Sequence, residues 1–200
     1  MKAPVLAVLV RILTGVSIRW VHCQPDARQR VYFANHTSHL DALVLWAALP
    51  REIRDLTRPV AARDYWEVGS VRRHLATKVF HSVLIPRSSV KRHDNPLDLV
   101  LRGMGDRYSV ILFPEGGRSL GPEVGEFKCG LYHLSRTRPD LELVPVHIEN
   151  LNRILPKGEF LPVPVLSSIT FGAPIRLLEK EPKAVFLQRA REAVCSLKRW

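Results

Sequence analysis

An α/β fold is what this chain predicts: one layered domain with a mainly parallel sheet flanked by helices. Three observations carry that prediction. Short β-rich runs alternate with stretches of helical periodicity. The 200 residues fit one ordinary domain, and 46% hydrophobic content is enough for a substantial core, which excludes a disordered chain.

The first segment, residues 1–22, is apolar but cut by Arg11 and Arg19 into uncharged runs of eight and seven residues. A membrane span needs about 20 predominantly apolar residues. Arg11, Gly15 and Arg19 recur at i, i+4 and i+8, opposite Leu6, Leu9, Leu13, Val16 and Trp20. That pattern suits an amphipathic helix lying in a membrane interface. Two competing readings are a signal peptide, which lacks a clear small-x-small cleavage site here, and an ordinary core-packing helix. The main domain is then expected over residues 23–200.

Strands are expected at residues 31–34 (VYFA), 79–85 (VFHSVLI), 109–113 (SVILF), 142–148 (ELVPVHI) and 167–172 (SSITFG), with helices from about Leu40 and from about Pro96. Residues 151–164 are proline-rich and read as an ordered surface excursion. Leu187, Ala190, Val194 and Leu197 then fall at helical spacing behind Pro182, which predicts a closing amphipathic helix.

The formal charge is +11, concentrated as +4 in residues 1–30, +6 in residues 51–92 and +3 in residues 181–200. The chain should therefore be drawn to something anionic. Nucleic acid is not the expected partner, since no zinc knuckle, RRM-type block or arginine-dense helix with polar base readers occurs. Cys23, Cys129 and Cys195 are odd in number and far apart, which argues against a disulfide framework and a cysteine-rich zinc site.

Ligands in open α/β sheets bind beyond the carboxyl ends of strands. Three such loops carry chemistry: Asn35-His36-Thr37-Ser38-His39-Leu40-Asp41, Pro86-Arg87-Ser88, and Pro114-Glu115-Gly116-Gly117-Arg118-Ser119. Five residues of continuous helix turn through about 500°, so a helical His36 and Asp41 would sit about 140° apart. They can meet only if His36 lies in the loop, with Ser38 as N-cap and Asp41 in the first turn. Asp41 could then accept from one ring nitrogen and leave the other as a base.

Spacing alone is weak, because His93 and Asp98 repeat it behind Lys91 and Arg92 and read as surface. His36, His39 and Asp41 match no established metal-ligand spacing, so no metal is expected. Gly117 to Gly121 fits GxSxG, with Asp140 and His147 in hydrolase order. Pro122 and Gly125 oppose the helix that a serine nucleophile elbow requires at Ser119.

Taken in order, NHTSHLD, VLIPR, FPEGGRS, FKCG and LVPVHIEN resemble the lysophospholipid acyltransferase family, typified by 1-acylglycerol-3-phosphate acyltransferases, from about Tyr32 to Ile148. The resemblance implies His36 as general base, Asp41 as its orienting partner, and Arg87, Glu115 and Arg118 on the acceptor phosphate. It places Asn35, Ser38, Gly116, Gly117, Ser119 and Lys128 in supporting positions, and Pro145 towards the acyl donor. Gly117 stands where the family usually has threonine, and the second block lacks its usual glycine.

The function so implied is acyl transfer from acyl-CoA or acyl-acyl carrier protein, as co-substrate rather than cofactor, to a lysophospholipid in phospholipid biosynthesis. The acceptor expected is 1-acylglycerol-3-phosphate; glycerol-3-phosphate or another lysolipid is the alternative within the family. Outside it stand a GxSxG serine hydrolase and a basic nucleic-acid-binding module. The expected location is the cytoplasmic face of an anionic membrane, peripheral or monotopic.

Overall fold

In the computed structural model, which describes residues 3–86, 95–119, 121, 123–151 and 167–199, every residue of β2 (Arg30–Ala34) is buried. A strand covered on both faces must alternate between two cores. Tyr32 and Ala34 pack with Ile111, Val144 and Val146 on one face, and Val31 and Phe33 with Val110 and Leu143 on the other. Around β2 the sheet has the order β1-β7-β6-β2-β5-β3-β4, with β1 (Ser17–Trp20), β3 (Thr57–Ala62), β4 (Val83–Ile85), β5 (Ser109–Leu112), β6 (Glu142–Glu149) and β7 (Ser168–Phe171). All pairs are parallel except β6 with β7.

The first face is covered by α1 (Ala3–Thr14) and α2 (Asp41–Ala48), through Leu6, Ala7, Val10, Val44, Leu45 and Ala48. The second is covered by α6 (Pro96–Met104), α7 (Gly130–Thr137) and the C-terminal helix (Lys183–Ser196), through Val100, Met104, Leu131, Leu134, Phe186, Ala190 and Val194. Asn95 caps α6, its side chain accepting from the Leu97 N–H at 3.1 Å, with Pro96 in the first turn. Three short helices, α3 (Arg51–Arg54), α4 (Arg63–Trp66) and α5 (Ser70–His74), bracket β3.

Four expectations require correction. The helix expected over residues 1–22 ends at Thr14, where Gly15 takes φ +53°, and Ser17–Trp20 forms an edge strand on β7, with Trp20 stacked on Phe171 at 3.9 Å. The boundary at residue 22 therefore does not separate a helix from the domain. Within α1 the apolar side also divides: Leu6 turns inward, while Val5, Val8, Leu9, Ile12 and Leu13 are exposed. The strand expected over 79–85 shortens to β4, because residues 75–79 wind into a turn of π-helix that Phe80 closes.

β3 itself was not expected, and it contains Pro59. The strand tolerates that proline at the changeover where it leaves β5, to which Thr57, Arg58 and Pro59 pair, for β4, to which Val60, Ala61 and Ala62 pair. The excursion expected at 151–164 lies outside the described residues beyond Leu151.

Candidate functional site

The carboxyl ends of β2 and β5 are locked together around one histidine. Asn35 folds back on β6: its Oδ1 accepts the Ile148 N–H at 2.8 Å and its Nδ2 donates to the Ile148 carbonyl at 2.9 Å, so the amide continues the ladder where the strand has ended. At His36, the N–H donates to Glu115 Oε1 at 2.8 Å, and the carbonyl accepts the Ser119 N–H at 2.8 Å. Both main-chain groups of His36 are thus held by the loop after β5. The ring stacks on Phe113, centroids 4.3 Å apart.

His36 Nδ1 lies 2.9 Å from Asp41 Oδ2. Asp41 has no exposed surface, and the same oxygen accepts the Thr37 N–H at 2.6 Å and the Ser38 N–H at 2.8 Å. A carboxylate oxygen taking these contacts can only accept, so Nδ1 donates to it, and in the neutral ring Nε2 then holds the lone pair. Ser38 is not the helix N-cap expected. α2 begins at Asp41, whose side chain bends back onto the two preceding amides, while Ser38 Oγ accepts the Leu40 N–H at 3.3 Å. The carboxylate sits where the helix dipole favours it and where orphan N–H groups need an acceptor.

Glu115 is held by main-chain groups. Its Oε1 accepts the His36 N–H and its Oε2 accepts the Gly125 N–H at 3.1 Å, so the buried carboxylate ties two loops. A Cβ on Gly125 would fall 2.7 Å from Glu115 Oε2, so a side chain there would have to displace that carboxylate. Gly116, at φ +69°, is crossed by the Lys128 side chain, and a Cβ there would meet Lys128 Nζ at 2.8 Å. Lys128 is anchored from below by its own N–H on the Pro114 carbonyl at 2.8 Å.

Arg118 is exposed and has no ion pair among the described residues; Gly117 beside it has open space where a Cβ would stand. Arg87 and the decoy His93 lie outside the described residues. Pro145 is buried in β6 opposite Phe33, below the level of Asn35 and Ile148, and is not among the residues lining the cleft at His36.

That cleft has a volume of about 120 Å³. Val60, Trp66, Ile85 and Phe113 line it together with His36, Gly116 and Gly117. Tyr65 and Trp66 are wall residues the motifs did not mark. Tyr65 stacks on His39 at 4.7 Å, and Arg72 Cζ lies 4.8 Å from the Tyr65 ring centroid. The signal available was an aromatic pair inside the basic segment, which spacing rules do not single out.

The serine-hydrolase arrangement does not form. Ser119 Oγ donates to the Gly121 and Glu123 carbonyls at 3.3 and 3.2 Å, no helix starts there, and Asp140 is tied to Arg138 at 2.9 Å. Among the described residues no three His, Cys, Asp or Glu side chains lie where they could share a metal ion.

The chain is similar to proteins of known activity. A 1-acyl-sn-glycerol-3-phosphate acyltransferase from Limnanthes douglasii is 25% identical over 172 residues, and one from Limnanthes alba 26%; each alignment covers 84% of this chain. The chain spans 57% of the length of these relatives. The crystal structure of the 1-acyl-sn-glycerophosphate (LPA) acyltransferase PlsC from Thermotoga maritima superposes with a TM-score of 0.76 at 16% identity, covering 98% of this chain and 77% of that one, which establishes a common fold. Residues 19–149, which hold the whole His36–Asp41 arrangement and the loop that braces it, match the family described as Acyltransferase, and the chain belongs to that family.

Proposed function

We propose that this protein transfers a fatty acyl group from a thioester to the free hydroxyl of 1-acylglycerol-3-phosphate, giving phosphatidate. The observation that carries this reading is the His36 Nδ1–Asp41 Oδ2 contact of 2.9 Å, which leaves Nε2 as an acceptor beside the cleft. A lysolipid hydroxyl is a poor nucleophile at neutral pH, and an imidazole is suited to take its proton during attack.

In this mechanism Nε2 removes the hydroxyl proton as the oxygen bonds to the thioester carbonyl carbon. The tetrahedral intermediate collapses, the carbon–sulfur bond breaks, and the leaving thiolate takes the proton back from the imidazolium. Asp41 stabilises the imidazolium in between. No side chain becomes acylated, so the transfer is direct within a ternary complex. Arg118 and Arg87 supply cations for the acceptor phosphate, and holding that phosphate fixes the distance of the hydroxyl. The donor is acyl-CoA or acyl-acyl carrier protein, and no cofactor takes part.

The membrane reading rests on the exposed Val5, Val8, Leu9, Ile12 and Leu13 of α1 together with the basic excess of the chain. Among the described residues no helix is long and apolar enough to cross a bilayer. We assign the protein to the surface of an anionic leaflet, on its cytoplasmic face, where each nearby basic side chain contributes about 1 kcal/mol.

The test is release of free thiol from palmitoyl-CoA with and without lysophosphatidate. His36→Ala is expected to lose about 10²–10⁴ in acceptor-dependent rate, the usual worth of a general base. His93→Ala should keep it. The reverse pattern removes His36 from the chemistry.

A further inference from the structure

At the end of the sheet opposite His36, two guanidinium groups share a cavity. The cleft at His36 uses Val60, Ala61 and Ala62 at the carboxyl end of β3; a second cavity uses Thr57 and Arg58 at its amino end. Its volume, about 280 Å³, is more than twice that of the cleft. Arg54, which ends α3, is 6% exposed, and Arg58 is half-buried. The Nε of each is buried without a hydrogen-bond partner. Buried charges are nearly always paired, and this cavity holds two guanidinium groups against a single acidic side chain, which calls for an anionic occupant.

The two side chains are held in place without being neutralised. Arg54 Cζ lies 5.3 Å from the Trp46 ring centroid, and Arg58 Cζ lies 3.5 Å from that of Tyr108. Arg58 Nη1 donates to the Gly103 carbonyl at 2.9 Å. Stacking fixes a guanidinium plane yet leaves its edge donors available. Of the lining residues only Asp55 is acidic, against Arg54, Arg58 and His81, and Asp55 is already 3.8 Å from Arg51. Burial holds the Arg54 guanidinium below its usual range; Asp55 opposes this, and Arg11 and Arg51 add to it.

We propose that this cavity is an anion site for a phosphate monoester, gripped by Arg54 and Arg58 and separate from the acyl-transfer cleft. A dianion with several acceptor oxygens matches two arginine forks better than a single carboxylate does. The group has two sources, a phosphatidate headgroup in a bilayer or a soluble phosphate.

The test is site-resolved modification of the full chain by phenylglyoxal, read by peptide mass spectrometry. The arms are inorganic phosphate, chloride at matched ionic strength, and phosphatidylcholine vesicles with and without phosphatidate. At about ten times its dissociation constant the bound anion should slow reaction at Arg54 and Arg58 about tenfold and leave the exposed Arg51 unchanged. Protection by inorganic phosphate identifies the soluble source, and protection only by phosphatidate-containing vesicles identifies the headgroup. Equal protection by chloride, or none from either phosphate source, overturns the proposal.

Calorimetry with inorganic phosphate in an Arg118→Ala background gives a second measurement. Arg58→Gln should weaken binding about tenfold or more, the scale of a hydrogen bond to a charged group, while Arg51→Gln leaves it intact. Equal binding by Arg58→Gln overturns the site. Neither measurement reads acyl transfer, so failure here leaves the role of His36 untouched.

Discussion

Asp41 Oδ2 receives the Thr37 and Ser38 amides besides the imidazole, so one oxygen fixes both the loop and the tautomer. At this scale two neighbouring residues of the loop after β5 separate cleanly. Glu115 is buried with both oxygens occupied, whereas Arg118 is exposed. Glu115→Gln must point an amide N–H at one of the two backbone donors, which costs about 1–3 kcal/mol. We expect a lower melting temperature and a lower kcat with little change in acceptor KM. A raised acceptor KM at unchanged melting temperature would return Glu115 to phosphate binding. Arg118→Ala should do the opposite, chiefly raising acceptor KM in steady-state kinetics, and an unchanged acceptor dependence would remove it from the site. The pairing of His36 with Asp41 was legible from the family resemblance, to which helix geometry added the condition that His36 lie in a loop; the bracing of the His36 amide by Glu115 was not, because a family motif names a residue without naming what its oxygens touch.

Helix α1 shows why patterning on one element can mislead. Its charge is accounted for internally: Arg11 donates through Nε and Nη2 to the carbonyls of Ala47 and Leu49 at the end of α2. Those are the orphan acceptors of a helix C-terminus, where a cation is favoured. The exposed apolar face is therefore a different stripe from the one a single long helix would present. Ile12, 72% exposed, is the most exposed of its residues. Replacing it with glutamate should cut binding to anionic vesicles about tenfold or more, the worth of burying one such side chain, without lowering the melting temperature. Co-sedimentation that is unchanged in Ile12→Glu would detach α1 from the membrane. β1 escaped detection for the related reason that four residues with Arg19 among them carry no strand signal of their own; pairing with β7 supplies it.

Across the whole molecule, stability should fall on mild acidification through His147. Burial in β6 pushes this imidazole below its usual value, with Glu149 opposing and Lys198 adding. An imidazole held neutral in the fold contributes fully above its unfolded value of about 6.5, and that contribution is lost as pH falls below it towards the folded-state value. Asp26, Asp140 and Glu181 are shifted down, the first chiefly by the Arg28 backbone N–H and the others by hydrogen bonds from Arg138 and Arg189. Their contributions persist above their unfolded values of about 4 and fade only below them, so the two windows are distinct. Thermal melts between about pH 7.5 and about pH 5.5 should show a drop that His147→Asn reduces; a flat wild-type profile would contradict the assignment. The sequence by itself determined the α/β class, the strands β2, β5, β6 and β7, the closing helix and the order of the motif loops, because hydrophobic period and strand-to-loop position are local properties. Only the tertiary structure decided that Ser17–Trp20 joins the sheet, that Pro59 lies within a strand, that Glu115 braces the histidine loop and that Arg54 shares a cavity with Arg58, since each depends on partners brought together from distant parts of the chain.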